Sequence, residues 1–379
     1  MTDTEIIPVR SRRDLNDFIT VPHAIFAHDP QWIAPLHVER REHLSMRKNP
    51  YFRHAEAQLF LARRGGKTVG RVSAQIDRLH IARYDDATGQ FGFLDAVDEA
   101  PVFAKLLHEA ESWLGERGIR RIQGPFSFSI NDESGLLVDG FHQPPFVMMG
   151  HAKPYYAAHV ETAGYRPVKD LLAYEYDLRN PIPRAIGAII AKNKASGKLV
   201  LRPLSKRNLA RDLEIIIAIF NDAWSANWNF VPMTREEIEN LGRVLKLLVS
   251  GEHVAIASFD GDPAAMVVTL PDINGMIGDL DGKLLPFGWA RLLWRLKFRT
   301  HAGARLPLMG VKARYRGSMV SAMLAFALID RIRTFHLSRG TLRGELSWVL
   351  EDNMPLRRIL DAIGAVPYKT YRVYEKSLG

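Results

Sequence analysis

The sequence predicts a mixed α/β (α+β) fold laid down twice in tandem. Three observations lead there. The chain repeats itself: Gly164-Tyr-Arg-Pro167-Val-Lys169, running on to Tyr174-Glu175 and Leu178, matches Gly364-Ala-Val-Pro367-Tyr-Lys369, Tyr374-Glu375 and Leu378 at one constant offset, 364 − 164 = 200. Each half also holds two strand-like runs joined by a tight turn. These are AEAQLFLARR, Gly65-Gly66 and KTVGRVSAQI in the first half, then HVAIASF, Asp260-Gly261-Asp262 and PAAMVVTL in the second. Finally, 379 residues with 47% hydrophobic and 25% charged side chains suffice for two domains with a core in each.

The remaining elements follow in the same order in both halves. A further strand (92–97 and 306–311) leads to a long helix (101–117 and 318–337), and then to strands at 120–128 and 344–350. An amphipathic stretch precedes each repeated segment, from Tyr156 to Ala163 and at Leu356, Ile359, Leu360 and Ile363; the latter has the spacing of one helix face. Gly164 and Gly364 then fall where a helix C-cap needs a left-handed residue, and each half closes on a strand. The stretch 179–198, RNPIPRAIGAIIAKNKASGK, has the Pro, Gly, Ser and Lys content of a connector. The expected organisation is a first domain over 1–180, a linker over 181–198 and a second domain over 199–379.

Composition removes several kinds of chemistry. There is no Cys, which excludes disulfides, thiolate metal sites and a cysteine acyl-enzyme. The thirteen His show no HxxxH or similar spacing, so no metal is expected. The balance of 51 Lys+Arg against 42 Asp+Glu, 51 − 42 = +9, favours anionic partners. No basic stripe interleaved with aromatics marks a nucleic-acid groove, so no nucleic acid is expected. No apolar run approaches the ~18 residues that cross a bilayer, and the N-terminus has no apolar signal region. The expected location is cytoplasmic. Within KLLPFGWARLLWRLKFRTHAG (283–303), Trp289, Leu292, Leu293, Leu296 and Phe298 alternate with Arg291, Arg295, Lys297 and Arg299. Such a helix lies in a membrane interface, receives an acyl chain, or packs on a core. Contact with the inner membrane face through 284–299 is therefore one expectation, and Trp289 is a candidate substrate-binding residue.

The most chemical stretch is LPLMGVKARYRGSMVSAM, Leu306 to Met323. A strand runs into a basic turn and a helix begins at once, so unpaired helix N–H groups and Arg314 and Arg316 meet where Gly317 lets an anion approach. R-x-x-G opening a helix after the fourth strand resembles the GNAT superfamily of CoA-dependent acyltransferases. The resemblance implies a central mixed, mostly antiparallel sheet flanked by helices in each half. It also implies acyl-CoA as co-substrate, with no permanently bound cofactor. Its contacts would come from Gly310, Val311, Lys312, Arg314, Arg316, Gly317, Ser318, Met319 and Asn353, with Ser318 and Met319 offering backbone N–H groups. Met319 stands where the family usually has Gly or Ala. The matching stretch of the first half, 94–107, has neither Gly nor Arg and carries Asp95, Asp98 and Glu99, which marks a degenerate repeat that shapes the acceptor site.

Two blocks, GPFSFSINDESGLLVDGF (124–141) with PPFVMMGHAKPYY (144–156), and GELSWVLEDN (344–353) with YKTYRVYEK (368–376), resemble bacterial tandem-GNAT proteins, among them the bacterial ceramide synthases. That likeness implies transfer of a fatty acyl group to the amine of a long-chain base by direct attack. Alternation along 344–350 puts Glu345, Ser347 and Val349 on one face. Glu345 or Glu351 is a candidate base and Tyr368 a candidate acid; salt-bridged carboxylates and a packed tyrosine are the alternatives. Asn353 is also suited to capping the next helix. Asn131, Asp132 and Glu133 either shape a loop or hold the acceptor. A non-catalytic acyl-CoA or lipid binder and an aminoacyl-tRNA-dependent transferase remain as alternative functions.

Overall fold

The structure, a computed structural model, describes residues 3–298 and 302–379. The first half runs β1 (Glu5–Pro8), α1 (Arg12–Ile25), α2 (His37–His43), β2 (Ala55–Arg64), β3 (Lys67–Asp77), α3 (Arg78–Tyr84) and β4 (Thr88–Ala96). It continues with α4 (Ala100–Gly115), β5 (Arg121–Gly124), β6 (Leu136–Asp139), α5 (Tyr155–Thr162) and β7 (Arg166–Asp177). The second half runs α6 (Arg184–Ala195), β8 (Leu199–Pro203), α7 (Leu209–Trp224), α8 (Arg235–Leu248), β9 (Val254–Phe259), β10 (Asp262–Pro271) and α9 (Asn274–Ile277). Then follow α10 (Gly288–Phe298), β11 (Gly303–Val311), α11 (Met319–Ser338), β12 (Arg343–Leu350), α12 (Met354–Ala362) and β13 (Val366–Ser377). The repeat is visible in these bounds, since β7 and β13 are offset by 366 − 166 = 200 at their starts and 377 − 177 = 200 at their ends. Gly164 and Gly364 precede them at φ +92° and +75°, the left-handed conformation expected of them.

The chain folds as two compact units. The first comprises residues 1–171, 277–292 and 369–379. Its strands lie in the order β1-β2-β3-β4-β5-β13, with β6 also on β13. Only the β4–β5 pair is parallel among the registers of these strands. Helix α4 turns Val102, Phe103, Leu106, Leu107, Ala110 and Leu114 inward, one face of a 3.6-residue period, and β4 is buried throughout.

The second unit comprises residues 172–276 and 293–368. Its order is β7-β12-β11-β10-β9-β8, with β11 and β12 parallel and β8 to β11 antiparallel. Helix α11 is buried along most of its length. Met323, Leu324, Phe326, Ala327, Leu328, Ile329 and Ile332 pack with Ala255, Ala257, Ala265 and Val267 of the sheet.

The expected connector 181–198 contains α6 instead of open chain. Its isoleucines lie at helical spacing; Ile190 is in the core, with Ile186 and Ile189 packed against it. The Pro and Gly that read as a linker sit at its edges, with Pro183 at the N-cap and Gly197 just beyond the C-cap. The compact units also interleave along the sequence, because residues 369–379 serve the first unit. Tyr374, Glu375 and Lys376 pair with Gly124, Gln123 and Ile122 of β5, and the Lys376 ammonium reaches Glu111 Oε1 at 2.9 Å. Ending the chain after Tyr368 therefore removes the strand on which both β5 and β6 pair. The expected result is loss of cooperative unfolding for that unit, because its net stability is only about 5–15 kcal/mol and β5 and β6 would lose their pairing. Calorimetry of the truncated chain showing both transitions intact would refute this.

Candidate functional site

Strands β11 and β12 begin as a parallel pair and then part. Registered pairs run from Gly303↔Arg343 through Arg305↔Glu345 to Leu306↔Leu346. Strand β11 continues to Val311 on β10, with Met266↔Gly310 and Ala265↔Val311. Pro307 accounts for the change locally: it has no N–H to donate, and the β10–β11 register shifts between Val268↔Leu308 and Leu270↔Arg305. Beyond Leu306, β11 thus has an edge no longer paired with β12. An extended group carrying amides is of the type that pairs with such an edge.

At the fork lies a buried ionic network. Arg305 and Glu345, directly opposite in register, have side chains each 1% exposed, with Nε to Oε1 at 3.4 Å. The Arg305 Nε donates to Ser347 Oγ at 3.0 Å, and that hydroxyl donates to Glu345 Oε1 at 2.7 Å. The Tyr368 hydroxyl donates to Glu345 Oε2. Arg305 also lies over the Trp348 ring, 4.8 Å from its centroid. Arg343 sits alongside, 5.5 Å from the Tyr368 ring and 2.5 Å from Glu175 Oε1. Burial pushes the carboxyl of neighbouring Asp272 upward and Glu345 adds to the rise, although the Gly275 N–H and Arg343 pull the other way.

The basic turn after β11 is built as a helix entry. Gly317 adopts φ +74°, and Ser318 caps α11 by accepting the Ser321 N–H at 3.2 Å. The Ser318 N–H, expected to be open to a ligand, donates to Tyr315 O at 3.1 Å because the turn closes on itself there. Met319 opens the helix with its side chain 77% exposed. Lys312 reaches Asp262 Oδ2 at 3.1 Å, Arg314 pairs with the same carboxylate, and Arg316 donates to Ala223 O at 3.1 Å. The Ala313 N–H donates to Asp222 at 2.5 Å.

The other expected residues are dispersed. Glu351 is exposed at the end of β12, and its carbonyl accepts from Arg357 at 2.7 Å. Asn353 caps α12 through the Leu356 N–H at 3.3 Å. Trp289 is exposed on α10. In the first unit, Asn131 and Asp132 shape a turn with Ser129, while the Glu133 carboxylate is held by Arg40. Burial pushes the Glu133 carboxyl up, but the Arg40 charge outweighs it and keeps the group low and ionised. Alternation along β12 also fails after Ser347. Val349 joins Leu346 in the hydrophobic core, where pairing with β11 has already ended and no longer fixes the pleat. Sequence reasoning passed over Arg305; its signal was a lone cation inside the apolar run GARLPLMGV.

Also in the second unit, Ile216, Ile217 and Phe220 of α7, Ile238 of α8, Val268 and Leu308 line a small apolar cleft with about 20 Å³ of usable space, room for about one water molecule. Among the described residues no group of three or more His, Asp or Glu is placed to hold a metal ion, and no helix is long and apolar enough to cross a membrane.

A forked parallel strand pair feeding a basic turn and a long helix, in a chain that repeats its elements, defines an acyltransferase of the tandem GNAT fold. Among solved structures, a tandem GNAT protein from the clavulanic acid biosynthesis pathway shares the fold at TM-score 0.59, with 14% identity over 100% of this chain and 99% of that one. A GCN5-related N-acetyltransferase from Sphaerobacter thermophilus does so at TM-score 0.56, with 12% identity over 99% and 96%. No protein-family model matches the chain. The chain belongs to the same family as two curated proteins that it matches from end to end. One is the bacterial ceramide synthase of Caulobacter vibrioides (strain NA1000 / CB15N), 45% identical over 377 residues, 99% of this chain and 98% of that protein. The other is protein YghO of Escherichia coli (strain K12), 44% identical over 368 residues, 97% and 94%.

The network at the fork makes a graded stability prediction. Arg305→Met or Glu345→Gln leaves a buried charge without its partner and is expected to cost about 3–5 kcal/mol. Tyr368→Phe removes one hydrogen bond and is expected to cost about 0.5–1.5 kcal/mol. Urea unfolding of the three variants measures the difference; equal, small losses would mean that the pair is not coupled.

Proposed function

We propose that the protein transfers a fatty acyl group from acyl-CoA to the primary amine of a long-chain sphingoid base. The observation that carries this reading is the fork between β11 and β12 with the Tyr368 hydroxyl anchored at it. The end-to-end likeness to a protein named bacterial ceramide synthase supports the choice of amine.

In this reading the diphosphate lies at the entry to α11, among Lys312, Arg314, Arg316 and the N–H groups of Gly317 and Met319. It must displace Asp262 from Lys312 and Arg314, exchanging one anion for another. The pantetheine follows the open edge of β11, and the Gly310 and Val311 backbone stabilises the oxyanion. The neutral amine attacks the thioester carbon and the C–N bond forms. As the tetrahedral adduct collapses, the C–S bond breaks and Tyr368 gives its proton to the departing thiolate. The tyrosinate then takes the proton carried by nitrogen, so amide and free CoA leave a restored enzyme. Glu345 acts as a positioning residue: Arg305, Ser347 and Tyr368 already engage its carboxylate. With no Cys in the chain, no cysteine acyl-enzyme intervenes.

Incubation with palmitoyl-CoA and sphinganine, or its 3-keto form, tests the reading by release of free thiol. Thiol is expected only when the amine is present; binding of acyl-CoA without turnover would overturn transfer. Arg314→Glu with Arg316→Glu is expected to raise the acyl-CoA KM about tenfold or more, and an unchanged KM would move the diphosphate elsewhere. Tyr368→Phe is expected to lower kcat about 10²–10⁴-fold with little change in acyl-CoA KM. Full kcat in that variant would remove Tyr368 from the proton path.

A further inference from the structure

The loop entering α10 and the outer side of that helix turn large apolar side chains to solvent. Leu285 is 80% exposed, Phe287 76% and Phe298 64%, while Trp289, Leu293 and Trp294 are each at least half exposed. Six of the fourteen exposed large apolar residues among those described therefore fall within fourteen consecutive positions, 285–298. The inward side of α10 carries Leu292, Leu296 and Arg295, whose guanidinium donates to Met276 O. An ordinary surface helix puts its polar residues outward; here the outward arc bears two tryptophans, a leucine and a phenylalanine. A contiguous patch of this kind marks an interaction surface.

Charge narrows the partner. Lys283, Arg291 and Lys297 are exposed among these side chains, and no Asp or Glu occurs from 283 to 298. Arg291 keeps a 2.9 Å contact with Asp279. Trp and Phe beside Lys and Arg, on an outward helical arc of low net hydropathy, suit a lipid headgroup region, where ring and alkyl groups enter the acyl boundary and cations remain with phosphates. Of the stretch 284–299 singled out in the sequence, Arg299 lies outside the described residues.

We propose that residues 284–298 dock on an anionic bilayer. Leu285, Phe287, Trp289, Leu293, Trp294 and Phe298 enter the interface, and Lys283, Arg291 and Lys297 face lipid phosphates. This rests on exposure and charge alone, independently of the acceptor proposed above. The full chain is mixed with vesicles of phosphatidylcholine alone, or with phosphatidylglycerol added, and sedimented without acyl-CoA or amine. The protein is expected to pellet with the anionic vesicles, and less as salt is raised through the range where the Debye length falls below about 8 Å. Trp294→Glu with Phe298→Glu is expected to weaken partitioning at least about tenfold. Leu285→Glu with Phe287→Glu repeats the test with α10 untouched, and circular dichroism checks that each variant is folded. Folded variants that pellet as well as the parent, or a parent that ignores anionic vesicles, would overturn the proposal. So would a parent dimer made monomeric by these variants with no vesicle binding, which would make the face a contact between two copies of the chain.

Discussion

The second unit turns on one buried ion pair. Arg305 and Glu345 face each other across parallel strands one residue before their pairing ends, both almost wholly removed from water. Burying two charges costs several kcal/mol per ion, recovered only when geometry and further hydrogen bonds satisfy both groups. Ser347, Tyr368 and the Trp348 ring do this, so the pair stands as part of a network. The network fixes where the fork begins. It also fixes the tyrosine hydroxyl, whose position follows from a carboxylate that has little freedom to move. A hydroxyl set this way is held in one orientation by its acceptor.

The basic turn obeys a related constraint. Its cations are held by Asp262 and, for Arg316, by the Ala223 carbonyl, so they are oriented in advance. The cost is competition, because any anion binding there must displace a carboxylate. The return is that Lys312 and Arg314 already point to one place. Long cationic side chains otherwise lose up to about 2 kcal/mol of rotamer freedom when fixed. In the first half the equivalent stretch is wholly committed to structure: Asp95 pairs with Arg71 and Glu99 with Arg64. The same stretch of the scaffold therefore carries cations held by an acidic residue in one copy and acidic residues held by arginines in the other.

What the sequence revealed was local or repeated. The glycine-turned hairpins, the glycine C-caps, the Arg-Gly helix entry and the offset of 200 all depend on residues a few positions apart, or on comparing like with like. Glu345 and Tyr368 were legible as candidates because the repeat set each of them on a strand of the second copy. What stayed hidden depends on distant pairing. Nothing near Arg305 announces a partner forty positions on, and nothing near Glu133 announces Arg40, which claims its carboxylate. Helix α6 was masked by proline and glycine at its two ends, although its isoleucine spacing was plain. The face of Val349 was misjudged because strict alternation presumes a regular pleat, and β12 is no longer paired with β11 by then.

The route of the chain through the first unit has a consequence for biosynthesis. The strand that β5 and β6 require begins to be supplied at Lys369, which follows Asp139 by 369 − 139 = 230 residues. At about 5–20 residues per second, a ribosome needs roughly 10–45 s to make that interval. Throughout that delay the nascent first half has strand edges awaiting a partner, the condition in which chains recruit chaperones or pair wrongly. The pairing of the early-made half is thus completed by residues made last.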